Sequence, residues 1–265
     1  MDKGISRSTA YLHALGALTR PVIDRITYTT RSGIAAGLKR RGGYGFIPRQ
    51  MSDEERFYLS LELTGKTVYD VGSYEGIFSL FAARAIGPTG ALVVFEPHPE
   101  SYRRTKRNLE LNNFGCNIIM RNVALGAGAS IVTMTCPGRE PARATLNTDI
   151  AHKLSSDGEV IESCQVRVES LDDAVATGLP IAQFLKIDTE GYEHEVIRGA
   201  ERTLRQHGPD LFIELHGIPG NWLEFRSRIE PMIRMIKDCG YSLYNMYRKP
   251  VSGDELVTHL YCTKS

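Results

Sequence analysis

The stretch from residue 66 to residue 123 constrains the fold more than any other part of the sequence. Thr67-Val68-Tyr69-Asp70-Val71 is a short apolar, β-branched run that stops at Gly72. A helical stretch from Gly76 to Ile86 follows, closed by Gly87-Pro88. Ala91-Leu92-Val93-Val94-Phe95 is a second apolar run, ending at Glu96-Pro97. Residues 100–111 read as a helix closed by Asn112-Asn113, and Asn117 to Val123 as a third strand. Fully apolar strands that alternate with helices across short connections describe a parallel sheet with helices on both faces.

The rhythm breaks over residues 128–170. Ile131–Met134 and Gln165–Val168 read as strands, and the polar segment between them carries no strong helical pattern, so an inserted hairpin or loop-rich flap is expected. Ser170 caps a short helix with Asp173 at its third position. A strand at Phe184–Ile187, a helix over 191–206, a strand at Leu211–Leu215, a helix from about 221 to 238 and strands near 241–247 and 257–262 complete the α/β pattern. Upstream, residues 5–19 read as a modest amphipathic helix and 32–48 as a Gly-rich basic connector with one short edge strand. Residues 52–63 read as a helix in which Ser52 and Glu55 have capping-box spacing. The chain therefore divides into an N-terminal helical basic arm or cap, residues 1–63, and an α/β domain, residues 64–265.

Charge refines this division. Lys plus Arg exceed Asp plus Glu by one, yet the first fifty residues hold nine basic and two acidic side chains, +7, and the remainder is −6. Such a balance excludes a nucleic-acid binder along the whole chain, while the arm is left as a candidate for anionic contacts, for pairing two copies or for lying near a membrane. No run of ~18 apolar residues occurs, so no transmembrane segment is expected. Cys116, Cys136, Cys164, Cys239 and Cys262 are odd in number and widely spaced, against a disulfide framework or zinc ribbon. With no secretory-type apolar stretch at the start, a cytoplasmic setting is expected.

The strand-to-helix junction Asp70-Val71-Gly72-Ser73-Tyr74-Glu75-Gly76 lies where an open α/β sheet places its ligand crevice. Its spacing is Asp-x-Gly-x-x-x-Gly, with an acid where a dinucleotide's pyrophosphate would be repelled. An acid beside exposed glycine backbone suits a cationic ligand. Glu96 ends the next strand, where two carboxylate oxygens take both ribose hydroxyls. Ribose recognition together with cationic groups and no phosphate points to S-adenosylmethionine. Adenine is expected near Pro97, His98 and the Asn122–Leu125 loop, with Asn122 at the base edge.

The run from about 66 to 216 resembles the FkbM-type family of S-adenosylmethionine-dependent methyltransferases. The matching pieces are Val68-Tyr69-Asp70-Val71-Gly72 with Gly76, then Val94-Phe95-Glu96-Pro97-His98-Pro99 and Asn122-Val123-Ala124-Leu125-Gly126. Leu185-Lys186-Ile187-Asp188-Thr189-Glu190-Gly191-Tyr192-Glu193, the most family-specific block, and Ile213-Glu214-Leu215-His216 follow. The resemblance implies a Rossmann-like class I methyltransferase, a seven-stranded, mostly parallel sheet with its last strand antiparallel. It also implies O-methylation, often of sugar or polyketide hydroxyls. Members commonly carry Ala-Asn after the first glycine, where this chain has Ser73-Tyr74. The expected cofactor contacts are Asp70, Gly72, Ser73, Tyr74, Gly76, Glu96, Pro97, Asn122, Ala124 and Asp188.

A hydroxyl acceptor must lose its proton as it is methylated, so a base is expected beyond the ends of the fourth and fifth strands. Asp188 leads, Glu190 shares its loop, and His216 follows Glu214 at the end of strand five. His216 oriented by Asp188 or Glu190 makes an effective base near neutral pH. No second acidic pair completes a Mg²⁺ site, so no metal is expected. The fourth strand lacks the Asn/Asp-Pro-Pro-aromatic tetrapeptide of base-modifying N-methyltransferases, which favours an oxygen acceptor. Residues 128–165 and the N-terminal arm would shape its pocket, with Trp222, Phe225 and Tyr192 as candidate stacking aromatics. The competing readings are an RNA methyltransferase using the basic arm, a nicotinamide-dependent dehydrogenase and a non-catalytic protein that keeps the fold. Asp70 at the turn and the missing third glycine argue against the dehydrogenase.

Overall fold

The apolar runs assemble into one seven-stranded sheet. The computed structural model describes residues 23–137, 143–156, 160–216, 222–252 and 257–264. The helix expected over residues 5–19 lies outside the described residues. In chain order the elements are β1 (Thr27–Thr29), β2 (Lys39–Arg41), α1 (Asp53–Leu59), β3 (Thr67–Val71), α2 (Ile77–Ile86), β4 (Ala91–Phe95), α3 (Pro99–Glu110) and β5 (Asn117–Arg121). Then come β6 (Ala124–Leu125), β7 (Ser130–Pro137), α4 (Thr148–Ser156), β8 (Ile161–Glu169), α5 (Leu171–Ala176), β9 (Phe184–Ile187), α6 (Glu193–Arg198) and α7 (Glu201–His207). The chain ends through β10 (Asp210–Glu214), α8 (Trp222–Asp238), β11 (Tyr241–Tyr244) and β12 (His259–Lys264).

The strand order is β11-β12-β10-β9-β3-β4-β5. β5, β4, β3, β9 and β10 are parallel, and β12 runs antiparallel between β10 and β11. This is the Rossmann-like, class I methyltransferase arrangement expected from the resemblance. The order reverses between β3 and β9, so the carboxyl ends of these two strands open a crevice at the switch point.

Alternation along the strands divides the core. Tyr69, Val71, Val93, Phe95, Leu185, Ile187, Leu211 and Ile213 face one side, packed with Val196, Ile197 and Leu204 of α6 and α7 and with Met232 and Ile236 of α8. Val68, Leu92, Val94, Phe184 and Phe212 face the other side, packed with Phe78, Leu80 and Phe81 of α2. Ile34, Ala35, Phe57, Tyr58 and Leu63 are buried in that second cluster. The segment from residue 34 to residue 63 therefore shares its core with the sheet. Phe57 stacks on Phe212, with ring centroids 4.7 Å apart.

Several local expectations change. β7 and β8 pair antiparallel as a small sheet with β6, and α4 stands between them where no strong helix was expected. Leu154 is the buried residue of α4, with Ile150 and Ala151 half-buried on the same face one turn earlier. The helix over 191–206 is two helices, α6 and α7, separated at Gly199. A Cβ there would lie 1.8 Å from the Gly126 carbonyl oxygen, so the break accommodates a close backbone approach. The capping box is present: Ser52 Oγ accepts from Glu55 N at 3.1 Å, and Glu55 Oε2 accepts from Ser52 N at 3.0 Å. No helix among the described residues is long and apolar enough to cross a membrane.

Candidate active site

The crevice is built around the turn that follows β3. Gly72 has φ +83°, and a Cβ there would stand 1.8 Å from the Asp188 carbonyl oxygen. Glycine thus lets the ends of β3 and β9 touch. Tyr74 follows at φ +50°, a left-handed conformation that is uncommon for a non-glycine residue and costs about 1–3 kcal/mol. α3 holds this turn in place. Thr105 Oγ1 donates to the Tyr74 carbonyl at 3.0 Å, and Asn108 Nδ2 donates to the Glu75 carbonyl at 3.1 Å. Ser73 Oγ lies 3.1 Å from Thr105 Oγ1. Gly76 opens α2 at φ +78°, where a Cβ would meet Thr105 at 2.7 Å.

Two cavities flank the turn and share Gly72, Tyr74 and Asp188. The first, about 210 Å³, has apolar walls from Val71, Phe95, Ala124, Leu125, Met134 and Leu146, with Tyr192 and Pro97 at its rim. Its polar groups are Glu96, Asp188, Thr189 and Glu190, and among the described residues none that lines it is basic. The second, about 230 Å³, is bordered by Ser73, Glu54, Glu55, Tyr58, Lys186 and Glu214.

Glu96 is oriented by the backbone. Its Oε2 accepts from Tyr74 N at 2.8 Å and its Oε1 from His98 N at 2.9 Å, leaving further lone pairs on both oxygens. Burial pushes its carboxyl up to about 7, against the lowering effect of those two amides. Asn122 does not line either cavity. Its Nδ2 donates to the carbonyls of Glu96 and Pro97 at 2.7 and 3.0 Å, strapping the loop behind the rim. Asp70 is also off the crevice wall: it is fully buried, accepts from Ser79 Oγ at 2.5 Å and faces Lys186 Nζ at 3.6 Å.

Lys186 joins the two strand ends. Its Nζ donates to the Gly72 carbonyl at 2.9 Å and to Asp188 Oδ2 at 2.8 Å. Burial alone would lower its pKa, but Asp188 and Asp70 outweigh this and hold it above the usual lysine value. In turn, Lys186 and then His216 overcome the effect of burial and hold the Asp188 carboxyl below its usual value.

Asp188, Glu190, Glu214 and His216 converge, as their topology suggested. His216 Nε2 lies 3.8 Å from Asp188, 3.7 Å from Glu190 and 3.6 Å from Glu214. Its Nδ1 lies 3.1 Å from Glu193 Oε1. Burial would lower the imidazole pKa, but the Glu193 hydrogen bond and the charges of Glu193, Glu190 and Asp188 push it up to about 10. These neighbours favour the protonated imidazole. Glu214 differs: burial and then Asp188 push its carboxyl up to about 7, partly offset by His216.

Sequence reasoning passed over Lys186, Glu193, Glu54 and His259. Lys186 carried a signal, as the charge inside the apolar run Phe184-Leu185-Lys186-Ile187. The others come together from distant elements, and their spacing gives no sign of it. Of the candidate aromatics, Tyr192 borders the first cavity and Phe225 packs against the core. The Trp222 side chain lies outside the described residues.

Comparison with known proteins bears on the same region. A profile of the methyltransferase FkbM domain matches residues 70–243. Methyltransferase 1 of Beauveria bassiana (strain ARSEF 2860) is 25% identical over 221 residues, covering 79% of this chain and 88% of that protein. Methyltransferase sdnD of Sordaria araneosa is 26% identical over 200 residues, covering 67% of this chain and 74% of that protein. The crystal structure of methyltransferase FkbM from Methylobacillus flagellatus KT aligns with a TM-score of 0.49 at 17% identity, over 80% of this chain. The present chain spans 50% of the length of that structure. With the profile match covering most of the α/β domain, the chain belongs to the FkbM methyltransferase family.

Proposed function

We propose that the protein transfers a methyl group from S-adenosylmethionine to a hydroxyl oxygen of a small molecule or glycan. The arrangement of the two cavities about one turn carries this reading: one has apolar walls with carboxylates, the other is bordered by Glu54, Glu55 and Glu214 together with Arg49 and Lys186, and Asp188 is common to both. The residues of the first cavity fit the cofactor. Phe95, Ala124, Leu125 and Tyr192 offer an apolar slot for adenine, Glu96 has lone pairs for ribose hydroxyls, and Asp188 and Glu190 suit a cationic amino-acid end. S-adenosylmethionine, when bound, supplies an electrophilic methyl group on a sulfonium.

The chain's own residues then bind, orient and remove a proton. Gly72 and Tyr74 shape the partition between the cavities, so that an acceptor in the second faces the cofactor cavity across one turn of backbone. Glu214 borders the acceptor cavity and takes the hydroxyl proton, since its pKa of about 7 allows it both to be ionised and to accept a proton near neutrality. The cationic His216 beside it holds the surrounding carboxylates in place, a role different from that of the base expected from sequence. Glu214→Gln is expected to lower turnover by about 10²–10⁴-fold and to leave cofactor affinity nearly unchanged. Stopped assays beside calorimetry check this, and equal turnover in the variant would move the base elsewhere.

Three of the five arginines described within the first fifty residues are engaged within the fold, which favours a small acceptor over a polyanion such as RNA. Arg40 pairs with Glu75, Arg41 Nε donates to the Asp24 carbonyl, and Arg49 grips both oxygens of Glu55. These three cations serve the fold, while Arg25 and Arg31 are exposed. Incubation of the protein and ¹³C-methyl cofactor with a panel of hydroxylated sugars and polyketides tests the oxygen assignment. A ¹³C shift of an O-methyl group in the product is expected, whereas an N-methyl or C-methyl product contradicts it.

A further inference from the structure

Glu193 opens α6 and is 5% exposed. One of its oxygens, Oε1, gathers an unusual set of partners. It accepts from Gly191 N at 2.9 Å and from Thr189 N and Thr189 Oγ1, both at 3.2 Å. The fourth partner is His216 Nδ1 at 3.1 Å, beyond the end of β10. Three of these contacts fold the 188–191 loop back onto α6. That loop contains Glu190 at φ +52° and Gly191 at φ +97°, a conformation that needs outside support. The fourth contact sets the ring of His216, whose Nε2 is thereby turned toward Asp188, Glu190 and Glu214.

We propose that Glu193 is the positioning residue of the methyl-transfer site: its Oε1 fixes the 188–191 loop and the His216 ring together, so that His216 presents an Nε2–H to Asp188, Glu190 and Glu214 where the two cavities meet. Its importance for turnover rests on the reading of Glu214 as the base, but the contact itself does not. A neutral group in place of Glu193 removes the hydrogen-bonded anion that does most to keep the ring charged. The other charges facing His216 are Asp188 and Glu190 on the loop and Glu214 on β10, with Lys186 on β9, His259 on β12 and Glu54 on α1 around the same cluster. Glu190, Asp188 and Glu214 remain in a Glu193 variant, so the ring should lose part of its stabilisation and not all of it.

Proton–nitrogen NMR of the histidine rings in the full chain tests this without acceptor or cofactor, with His216 identified from the spectrum of His216→Asn. In the wild type, the ring is expected to stay protonated through neutral pH with a hydrogen-bonded Nδ1–H. In Glu193→Gln, its titration midpoint is expected to fall by about two units, and amide exchange at Gly191 to quicken about tenfold. Glu193→Asp keeps the charge on a shorter arm and is expected to recover most of the midpoint without the loop protection. A residue with a packing role alone would leave the midpoint in place. A midpoint in folded Glu193→Gln within about half a unit of the wild type overturns the proposal. Should Glu193→Gln not fold, the wild-type spectrum decides, since a neutral His216 ring at neutral pH, or an Nδ1 without a hydrogen-bonded proton, overturns it equally. Loss of turnover in Glu214→Gln beside an unmoved midpoint would separate failure of this proposal from failure of the base assignment.

Discussion

Gly72→Ala is expected to lose binding of S-adenosylhomocysteine by at least about 100-fold and to be destabilised by about 3 kcal/mol or more. Two costs add at this position. The backbone stands at φ +83°, where an L side chain is strained. The new Cβ would also lie 1.8 Å from the carbonyl oxygen of Asp188, a backbone atom that no rotamer change moves away. Relief requires the carboxyl ends of β3 and β9 to separate. That would break the bond from Asp188 N to the Val71 carbonyl, 3.0 Å, and the bond from Lys186 Nζ to the Gly72 carbonyl, 2.9 Å. Both cavity walls move with those ends. Gly37→Ala is the matched control: φ is +83°, as at Gly72, and nothing lies within 4 Å of the added Cβ. It should cost about 1–2 kcal/mol and leave the crevice intact. Urea denaturation and calorimetry on the two variants separate strain from collision, and equal behaviour of the pair would refute the close approach at Gly72.

Arg40→Ala is expected to destabilise the chain by about 3 kcal/mol. Arg40 stands on β2 and Glu75 on the turn after β3, and their side chains, each 8% exposed, form an ion pair. Arg104 of α3 joins them, reaching Glu75 at 3.1 Å and Asp24 at 2.7 Å. Removing Arg40 leaves Glu75 buried with one cation in place of two, which is costly because the desolvation remains and part of the attraction is gone. Replacing the pair together, Arg40→Met with Glu75→Leu, should recover at least half of the loss, since Arg104 keeps Asp24 and Glu100. A double-mutant cycle by chemical denaturation measures the coupling. Additive losses would mean that the β1–β2 hairpin and the turn after β3 are energetically independent.

The sheet was legible because its strands are apolar runs closed by Gly, Glu-Pro or Asp, and such runs have few places to go other than a buried sheet. The capping box of α1 was legible for the same local reason. α4 was not: it is nine residues long and rich in Thr, Asp and Ser, which favour caps and turns, so the face formed by Ile150 and Leu154 did not stand out as helical. β1 and β2 were only partly legible because distant side chains hold β2: Asn112 Oδ1 accepts from Lys39 N and Asn108 Oδ1 from Arg41 N, both at 2.9 Å. In the site, residue identity was readable and residue role was not. Asp188, Glu190, Glu214 and His216 lie together as topology required. Whether His216 is a base or a cation depends on Glu193, which a reading of strand ends does not bring next to it. Asp70 and Asn122 show the same limit. Each sits at the expected loop, and each side chain turns to partners within the fold.

The central claim is that the crevice between β3 and β9 is a nucleoside-binding site read by Glu96, and calorimetric titration of the full chain with S-adenosylhomocysteine across pH tests it most directly. Burial raises the Glu96 carboxyl to about 7, so in the free protein it is protonated below that pH and ionised above it. The ionised form offers both oxygens to ribose hydroxyls, so affinity should rise as pH increases through about 7 and level off above it. The predicted result is one-to-one binding with that pH dependence, weakened and flattened in Glu96→Gln. Absence of binding, or wild-type affinity that is the same on both sides of about pH 7, would contradict it.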